Sequence, residues 1–178
     1  MDVLTVLITG GSQGSRTLNR AAEEGWPLWK KDSVRLIHQT GERAFADLAP
    51  KFRASGIAGE ISAFLDDMPR AFADADLIVS RSGGTVSEIA SAGKPSILVP
   101  LPTAADQHQL RNAQAFEKAG AARLVLDAEM TGERLVEEVM RLAGEPGLLE
   151  KMGGAARAMA RPGAAQRAAD VLEGFITD

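Results

Sequence analysis

Val3-Leu4-Thr5-Val6-Leu7-Ile8-Thr9-Gly10-Gly11-Ser12-Gln13-Gly14-Ser15 is the stretch that decides the fold. Its first half is almost continuously apolar or β-branched, without the in–out alternation of a half-exposed strand, as expected of a strand buried on both faces. A glycine-rich turn follows, and Arg16–Glu24 then reads as a helix. The same design returns as Leu77-Ile78-Val79-Ser80 and the turn Arg81-Ser82-Gly83-Gly84-Thr85-Val86-Ser87-Glu88. Each turn places small residues and free backbone N–H groups at a helix start, where the macrodipole favours an anion. Two such turns in one domain suit a ligand with a polyphosphate at one end and hydroxyls at the other.

Outward from these turns the pattern alternates. Further strand-like runs are Val34–Gln39, Glu60–Phe64, Ser96–Val99 and Arg123–Leu126. Helix-like stretches are Glu42–Ala54, Pro69–Ala73, Thr85–Ala92, Gln107–Ala119, Gly132–Ala143, Gly147–Ala160 and Ala164–Phe175. Short strands alternating with helices predict an α/β domain, a Rossmann-like doubly wound parallel sheet covered on both faces. Gly56, Gly93 and Gly120 sit where helices should stop, and Pro162 where the last one could begin. In such sheets ligands bind outside the carboxyl ends of the strands, where both glycine turns lie.

Composition narrows the function. The length of 178 residues fits one domain with a real core. A net charge of −4 and 4% aromatic residues supply neither a basic footprint nor stacking platforms, so nucleic acid is not an expected partner. With no cysteine, disulfides, thiolate metal sites and cysteine nucleophiles are excluded. No run approaches the ~18 apolar residues of a membrane span, and the chain opens on a strand without a basic leader, so no signal peptide is expected.

Each candidate motif has a structural alternative. The first turn lacks the Lys-Ser/Thr of a P-loop, and Thr9 stands where a dinucleotide fingerprint has its first glycine. It is therefore either a tight turn or a phosphate cradle. Thr85-Val86-Ser87-Glu88 fits a capping box, with Thr85 as N-cap and Glu88 reaching back. The alternative is that Glu88 accepts from two adjacent ribose hydroxyls. Asp106 reads as the N-cap of the next helix. Gln109 and Asn112 share a face of that helix and offer amides suited to sugar hydroxyls, unless that face is merely solvated. Phe64 could cover a flat base or belong to the core. Asp74-Ala75-Asp76 precedes its strand and reads as a turn far from the ligand edge, and the two histidines, His38 and His108, lie too far apart in sequence to suggest a metal site.

Taken together, Gly10–Gly14, His38–Gly41, Phe64–Met68, Ala75–Gly83, Thr85–Ile89, Gly93–Pro95, Val99-Pro100, Asp106–Gln109 and Asn112-Ala113 resemble the donor-binding, C-terminal half of MurG-type UDP-N-acetylglucosamine transferases. Order and spacing match nearly continuously from residue 3 to about 125. The resemblance implies one half of a glycosyltransferase-B fold, and a reaction of peptidoglycan and cell-wall biogenesis. In it, N-acetylglucosamine (GlcNAc) passes from UDP-GlcNAc to undecaprenyl-diphosphate-MurNAc-pentapeptide, without metal or cofactor. It further implies that Ser12, Gln13 and Gly14 meet the donor diphosphate and that Phe64, Leu65 and Met68 form the uracil pocket. Glu88 would hold the ribose diol, Gly84 and Thr85 would sit by the diphosphate and sugar, and His108, Gln109 and Asn112 would contact the GlcNAc hydroxyls. Two departures stand out: the Gly83-Gly84-Thr85 turn is one residue shorter than usual in the family, and His108 stands where some members carry glutamine. The acceptor site and general base would lie on an N-terminal domain outside this chain, so residues 1–178 are expected to bind donor without turning over. The whole enzyme would be peripheral at the cytoplasmic face of the inner membrane, and the isolated domain soluble. The alternatives are another UDP-sugar enzyme of the same fold, such as a UDP-GlcNAc 2-epimerase, or a nicotinamide-dependent oxidoreductase domain.

Overall fold

A computed structural model describes residues 3–30 and 32–160. Six strands form one all-parallel sheet: β1 (Leu4–Thr9), β2 (Val34–Gln39), β3 (Ala58–Ser62), β4 (Leu77–Ser80), β5 (Ser96–Leu98) and β6 (Ala122–Leu124). The helices are α1 (Arg16–Gly25), α2 (Glu42–Ser55), α3 (Met68–Asp74), α4 (Thr85–Ala92), α5 (His108–Lys118), α6 (Gly132–Gly144) and α7 (Leu148–Ala158). The strand order is β3-β2-β1-β4-β5-β6, the doubly wound order in which chain direction across the sheet reverses between β1 and β4.

Alternate residues of each strand serve opposite layers, as the period of a pleated strand requires. Val6, Ile8, Leu36, Val79 and Ile97 pack with Leu18, Trp26, Phe52, Leu135 and Val139 beneath α1, α2 and α6. Leu7, Ile37, Ile78 and Leu98 pack with Phe72, Ile89, Ala113 and Phe116 beneath α3, α4 and α5. β1 and β4 are buried almost throughout, which explains why they read as unbroken apolar runs. Gly56 and Gly93 end α2 and α4 in the left-handed region, as expected of C-terminal glycines.

Boundaries of the described elements agree with the sequence pattern to within two residues, and β3 is the one displaced by two at both ends. It runs from Ala58 to Ser62, two residues earlier at each end than Glu60–Phe64, because its register on β2 ends with Gln39 opposite Ser62. The β2 chain then turns away, with the amides of Thr40 and Gly41 donating to the carbonyls of Ser62 and Ala63. Phe64 is thereby left off the strand and 54% exposed rather than in the core. Asp76 lies at the opposite end of the sheet, where its carboxylate accepts from the Thr5 amide at 2.8 Å. The expected helix Ala164–Phe175 and its Pro162 start lie outside the described residues.

Two polar clusters fasten the layers. Glu138 of α6 is buried and meets Arg134 and Arg141 of its own helix and Arg123 of β6. Burial works to raise its carboxyl, yet hydrogen bonds and charge from Arg141 and Arg123 hold it below the usual carboxylate range. His38 of β2 is the second. Asn19 of α1 donates through Nδ2 to the Thr40 carbonyl at 2.9 Å, so its Oδ1 is the acceptor facing His38 Nε2 at 3.0 Å. That assigns the neutral ring with the proton on Nε2. Burial lowers the His38 pKa from 6.5 to about 4.

An unfolded chain takes up a proton on His38 near pH 6.5, whereas the folded one resists until about pH 4. Stability from this site is therefore complete above pH 6.5 and is lost as the pH falls toward 4, by about 3 kcal/mol in all. Urea titrations between pH 7.5 and pH 4.5 should show this decline, and His38→Gln, which cannot titrate, should flatten it. An equal decline in both proteins refutes the assignment.

Candidate functional site

The two glycine turns leave the sheet from its central pair of strands and line one cleft of about 830 Å³. Gly10, Gly11, Gln13, Gly14, Gly83, Gly84 and Thr85 form its floor, and Arg16, Arg20, Arg81 and Gln109 stand around it. The turn after β1 is built by short-range bonds. The Gly14 amide donates to Gly11 O at 2.9 Å, the Gly11 amide to Thr9 Oγ1 at 3.1 Å, and Ser15 Oγ caps α1 by accepting from the Leu18 amide. Ser15 and not an acidic residue performs that capping, so the first-turn amides of Arg16 and Thr17 keep their positive end toward the cleft.

Gly14 is required by contact as well as by conformation. Its φ is +72°, and a Cβ there would fall inside the van der Waals shell of the Thr40 carbonyl oxygen. Gly41 closes the same gap from the other side, with a Cβ placed 2.6 Å from Gln13 O. The loops after β1 and β2 thus touch backbone to backbone, held by the Asn19 bond to Thr40.

The second turn differs from the capping-box reading. The N-cap of α4 is Gly84 and no side chain caps it; Thr85 is the first helical residue. The Val86 and Ser87 amides turn back to Gly83 O and Gly84 O at 3.3 and 3.1 Å. This tight turn occupies the place the box would need, and it leaves Glu88 exposed without an ion pair among the described residues. Asp106 likewise is not the N-cap of α5. The helix starts at His108, and Asp106 and Gln107 precede it at φ +51° and +54°. Two consecutive left-handed residues that are not glycine cost about 1 kcal/mol each. They persist because the loop is fastened to the cleft: Gln109 Oε1 accepts from the Leu101 amide at 3.0 Å and Ser82 Oγ donates to Gln109 O at 2.7 Å.

The structure divides the residues picked from sequence. Gln13, Gly14, Gly84, Thr85 and Gln109 line the cleft. Met68 and Glu88 line a neighbouring groove of about 650 Å³ between α3 and α4, on the far side of the first turn of α4. Leu65 is half-buried in the loop that carries exposed Phe64. Ser12 is exposed at the tip of the first turn and does not line the cleft. His108 is exposed, with Nδ1 beside Ala105 O at 2.9 Å. Asn112 faces a third hollow, beside Val86 and Phe116, and its amide donates to Ser82 O at 2.9 Å. It braces the second turn rather than standing on a solvated face. Sequence reasoning missed Arg16, Arg20, Arg81 and Asp127 as cleft residues. Arg16 and Arg20 had a usable signal, basic residues four apart at the start of α1; the meeting of Arg81 with Asp127 had none.

Gly14→Ala should cost about 2 kcal/mol or more, since it combines strain with a backbone clash. Gly11→Ala, at φ +79° but with open space around it, should cost only about 1 kcal/mol. Urea unfolding of the two variants tests this, and equal losses would show that the contact with Thr40 carries no weight.

Residues 5–168 match the family model of the glycosyltransferase family 28 C-terminal domain. The chain is 62% identical over 175 residues to the UDP-N-acetylglucosamine--N-acetylmuramyl-(pentapeptide) pyrophosphoryl-undecaprenol N-acetylglucosamine transferase of Solibacter usitatus (strain Ellin6076), covering 97% of this chain and 48% of that protein. It is 42% identical over 172 residues to the protein of the same name from Geotalea uraniireducens (strain Rf4), covering 95% and 47%. Among solved structures, Acinetobacter baumannii MurG superposes with a TM-score of 0.85 at 31% identity, over 97% of this chain and 50% of that one. The Staphylococcus aureus MnaA–UDP co-structure does so with a TM-score of 0.75 at 16% identity, over 99% and 47%, a likeness of fold alone. The chain spans about half the length of the curated relatives it matches.

Proposed function

The chain belongs to the glycosyltransferase family 28 C-terminal domain family, and from that premise we propose that it is the donor-binding half of an inverting transferase. In this reading the whole enzyme moves GlcNAc from UDP-GlcNAc to a lipid-linked MurNAc-pentapeptide. The observation that carries the reading is the convergence of two helix mouths on one cleft at the point where strand order reverses, that of α1, capped only by the uncharged Ser15 hydroxyl, and that of α4, which no side chain caps. The 62% identity to a protein bearing that transferase name supports the substrate assignment.

The donor diphosphate would lie across the Gly11–Ser15 and Gly83–Thr85 turns, between the mouths of α1 and α4. Phe64 offers the uracil an exposed ring, and the Leu65 backbone reads the base edge, with Met68 at its side. Glu88, on the groove side of the first turn of α4, has two carboxylate oxygens without a partner among the described residues and offers them to the ribose diol. Gln109 keeps Oε1 on the Leu101 amide, which leaves Nε2 to donate to a GlcNAc hydroxyl. Ser12 would close over the diphosphate from the turn tip, and His108 would reach the sugar only from the rim. Asn112 would act by holding the second turn through Ser82.

In the transfer, the acceptor hydroxyl displaces UDP at the anomeric carbon with inversion. The anomeric C–O bond breaks with its electron pair left on the β-phosphate oxygen, and the fixed amides of the two mouths stabilise that growing charge without reorganising. The proton of the acceptor would pass to a base outside this chain. Among the described residues no helix is long and apolar enough to cross a membrane; membrane contact, at the cytoplasmic face, would belong to the whole enzyme.

The oxidoreductase reading meets a specific obstacle. At the end of β2, where an acid would hold an adenosine ribose, Gln39 is buried with its Oε1 accepting from Thr9 Oγ1 at 2.7 Å. The 2-epimerase reading has only likeness of fold behind it.

Calorimetric titration with UDP-GlcNAc, UDP, ADP-glucose and NADH should show binding of the uridine ligands alone. Glu88→Ala should weaken UDP about tenfold or more, as loss of charge-assisted hydrogen bonds does, while stability moves by less than about 0.5 kcal/mol. Weakening should vanish for a ligand lacking the ribose hydroxyls. Undiminished UDP affinity in Glu88→Ala refutes the diol assignment.

A further inference from the structure

Arg81 follows β4 directly and sits at the cleft with its side chain only 13% exposed. One end of its guanidinium is committed. Nη1 donates to Val99 O at 3.2 Å and to Pro100 O at 3.4 Å, and it pairs with the Asp127 carboxylate. Nε and Nη2 have no hydrogen-bond acceptor among the described residues. Asp127 comes from the turn after β6, two strands away from β4, and lines the same cleft. A carboxylate in the wall of an anion-binding cleft opposes the ligand, so its presence beside a cation needs a reason other than affinity.

The chemistry of transfer offers one. The diphosphate of a nucleotide sugar is substituted at both ends. Once the glycosidic bond breaks, its terminal phosphate keeps the electron pair and at neutral pH carries about one more negative charge. An unmasked guanidinium therefore attracts the product more than the donor, and the cleft would hold on to what it must release. We propose that Asp127 is a positioning residue that fixes and masks Arg81, so that the cleft does not retain nucleoside diphosphate product in preference to nucleotide-sugar donor. This rests on the donor-site reading above.

The test is the ratio of two affinities, measured by calorimetry on the full chain with UDP and UDP-GlcNAc. Asp127→Asn keeps the shape and removes the mask. It should tighten UDP about fivefold and UDP-GlcNAc no more than about twofold at low salt, the difference shrinking near 0.5 M salt as screening sets in. Asp127→Glu should restore the original ratio. Arg81→Gln, which removes the masked cation, should weaken UDP more than UDP-GlcNAc and serves if the first variant does not fold. A purely structural ion pair moves both affinities together, so an unchanged ratio in the Asp127→Asn or Arg81→Gln protein overturns the proposal. Failure of the unmodified chain to bind either uridine ligand overturns the donor-site reading and this proposal with it, and that result is distinct from an unchanged ratio.

Discussion

β1 is hydrogen-bonded to β2 on one side and to β4 on the other, all parallel. Parallel crossovers are right-handed, so the chain leaves β1 toward one face of the sheet and β4 toward the other. Their adjacent carboxyl ends are therefore never covered by a shared connection, and a crevice must open there. Both glycine turns fall in that crevice because they terminate those two strands. The cleft follows from this pairing: two helix mouths face one space, and no other strand pair in the sheet could bring them together.

What keeps the crevice in shape is backbone contact supported by buried polar groups. The turn after β1 rests on the Thr40–Gly41 backbone, Thr40 is held by Asn19, and Asn19 is held by His38. A histidine buried deeply enough to resist protonation costs stability in acid, and it supplies a donor that orients Asn19. On the other wall, Ser82, Gln109 and Asn112 tie the second turn to α5, and Arg81 ties it to the turn beyond β6. These bonds outweigh local preference, as the left-handed Asp106 and Gln107 show. Donors already fixed in place are what the proposed reading requires of a cleft that stabilises a leaving diphosphate.

The fold was legible because its signals are local and repeated. Buried parallel strands read as unbroken apolar runs, and helix-ending glycines stand where the left-handed region is entered. The first turn was legible for the same reason, since Gly14 and Gly41 have no alternative residue. Misreadings came where two local signals competed or a distant partner decided. Thr85 and Glu88 have capping-box spacing, but a tight glycine turn at Gly83-Gly84 already supplies the helix start. Phe64 looked continuous with β3 until the register on β2 ended the strand two residues sooner. Asn112 shares a helical face with Gln109, yet its partner Ser82 lies thirty positions away in the chain.

Residues 3–125 alone determined the α/β class, the succession of strands and helices along the chain, the two glycine turns at helix starts and the resemblance to a sugar-nucleotide transferase domain. Those properties depend on periodicity, on glycine's conformational range and on spacing along the chain. Tertiary structure alone decided that Arg16, Arg20 and Arg81 share a cleft with Gln109, that Glu88 and Met68 open onto the neighbouring groove, and that Asp127 meets Arg81. Such meetings depend on which strands become neighbours, and strand order is settled by packing the two buried layers together. No local pattern of residues encodes it.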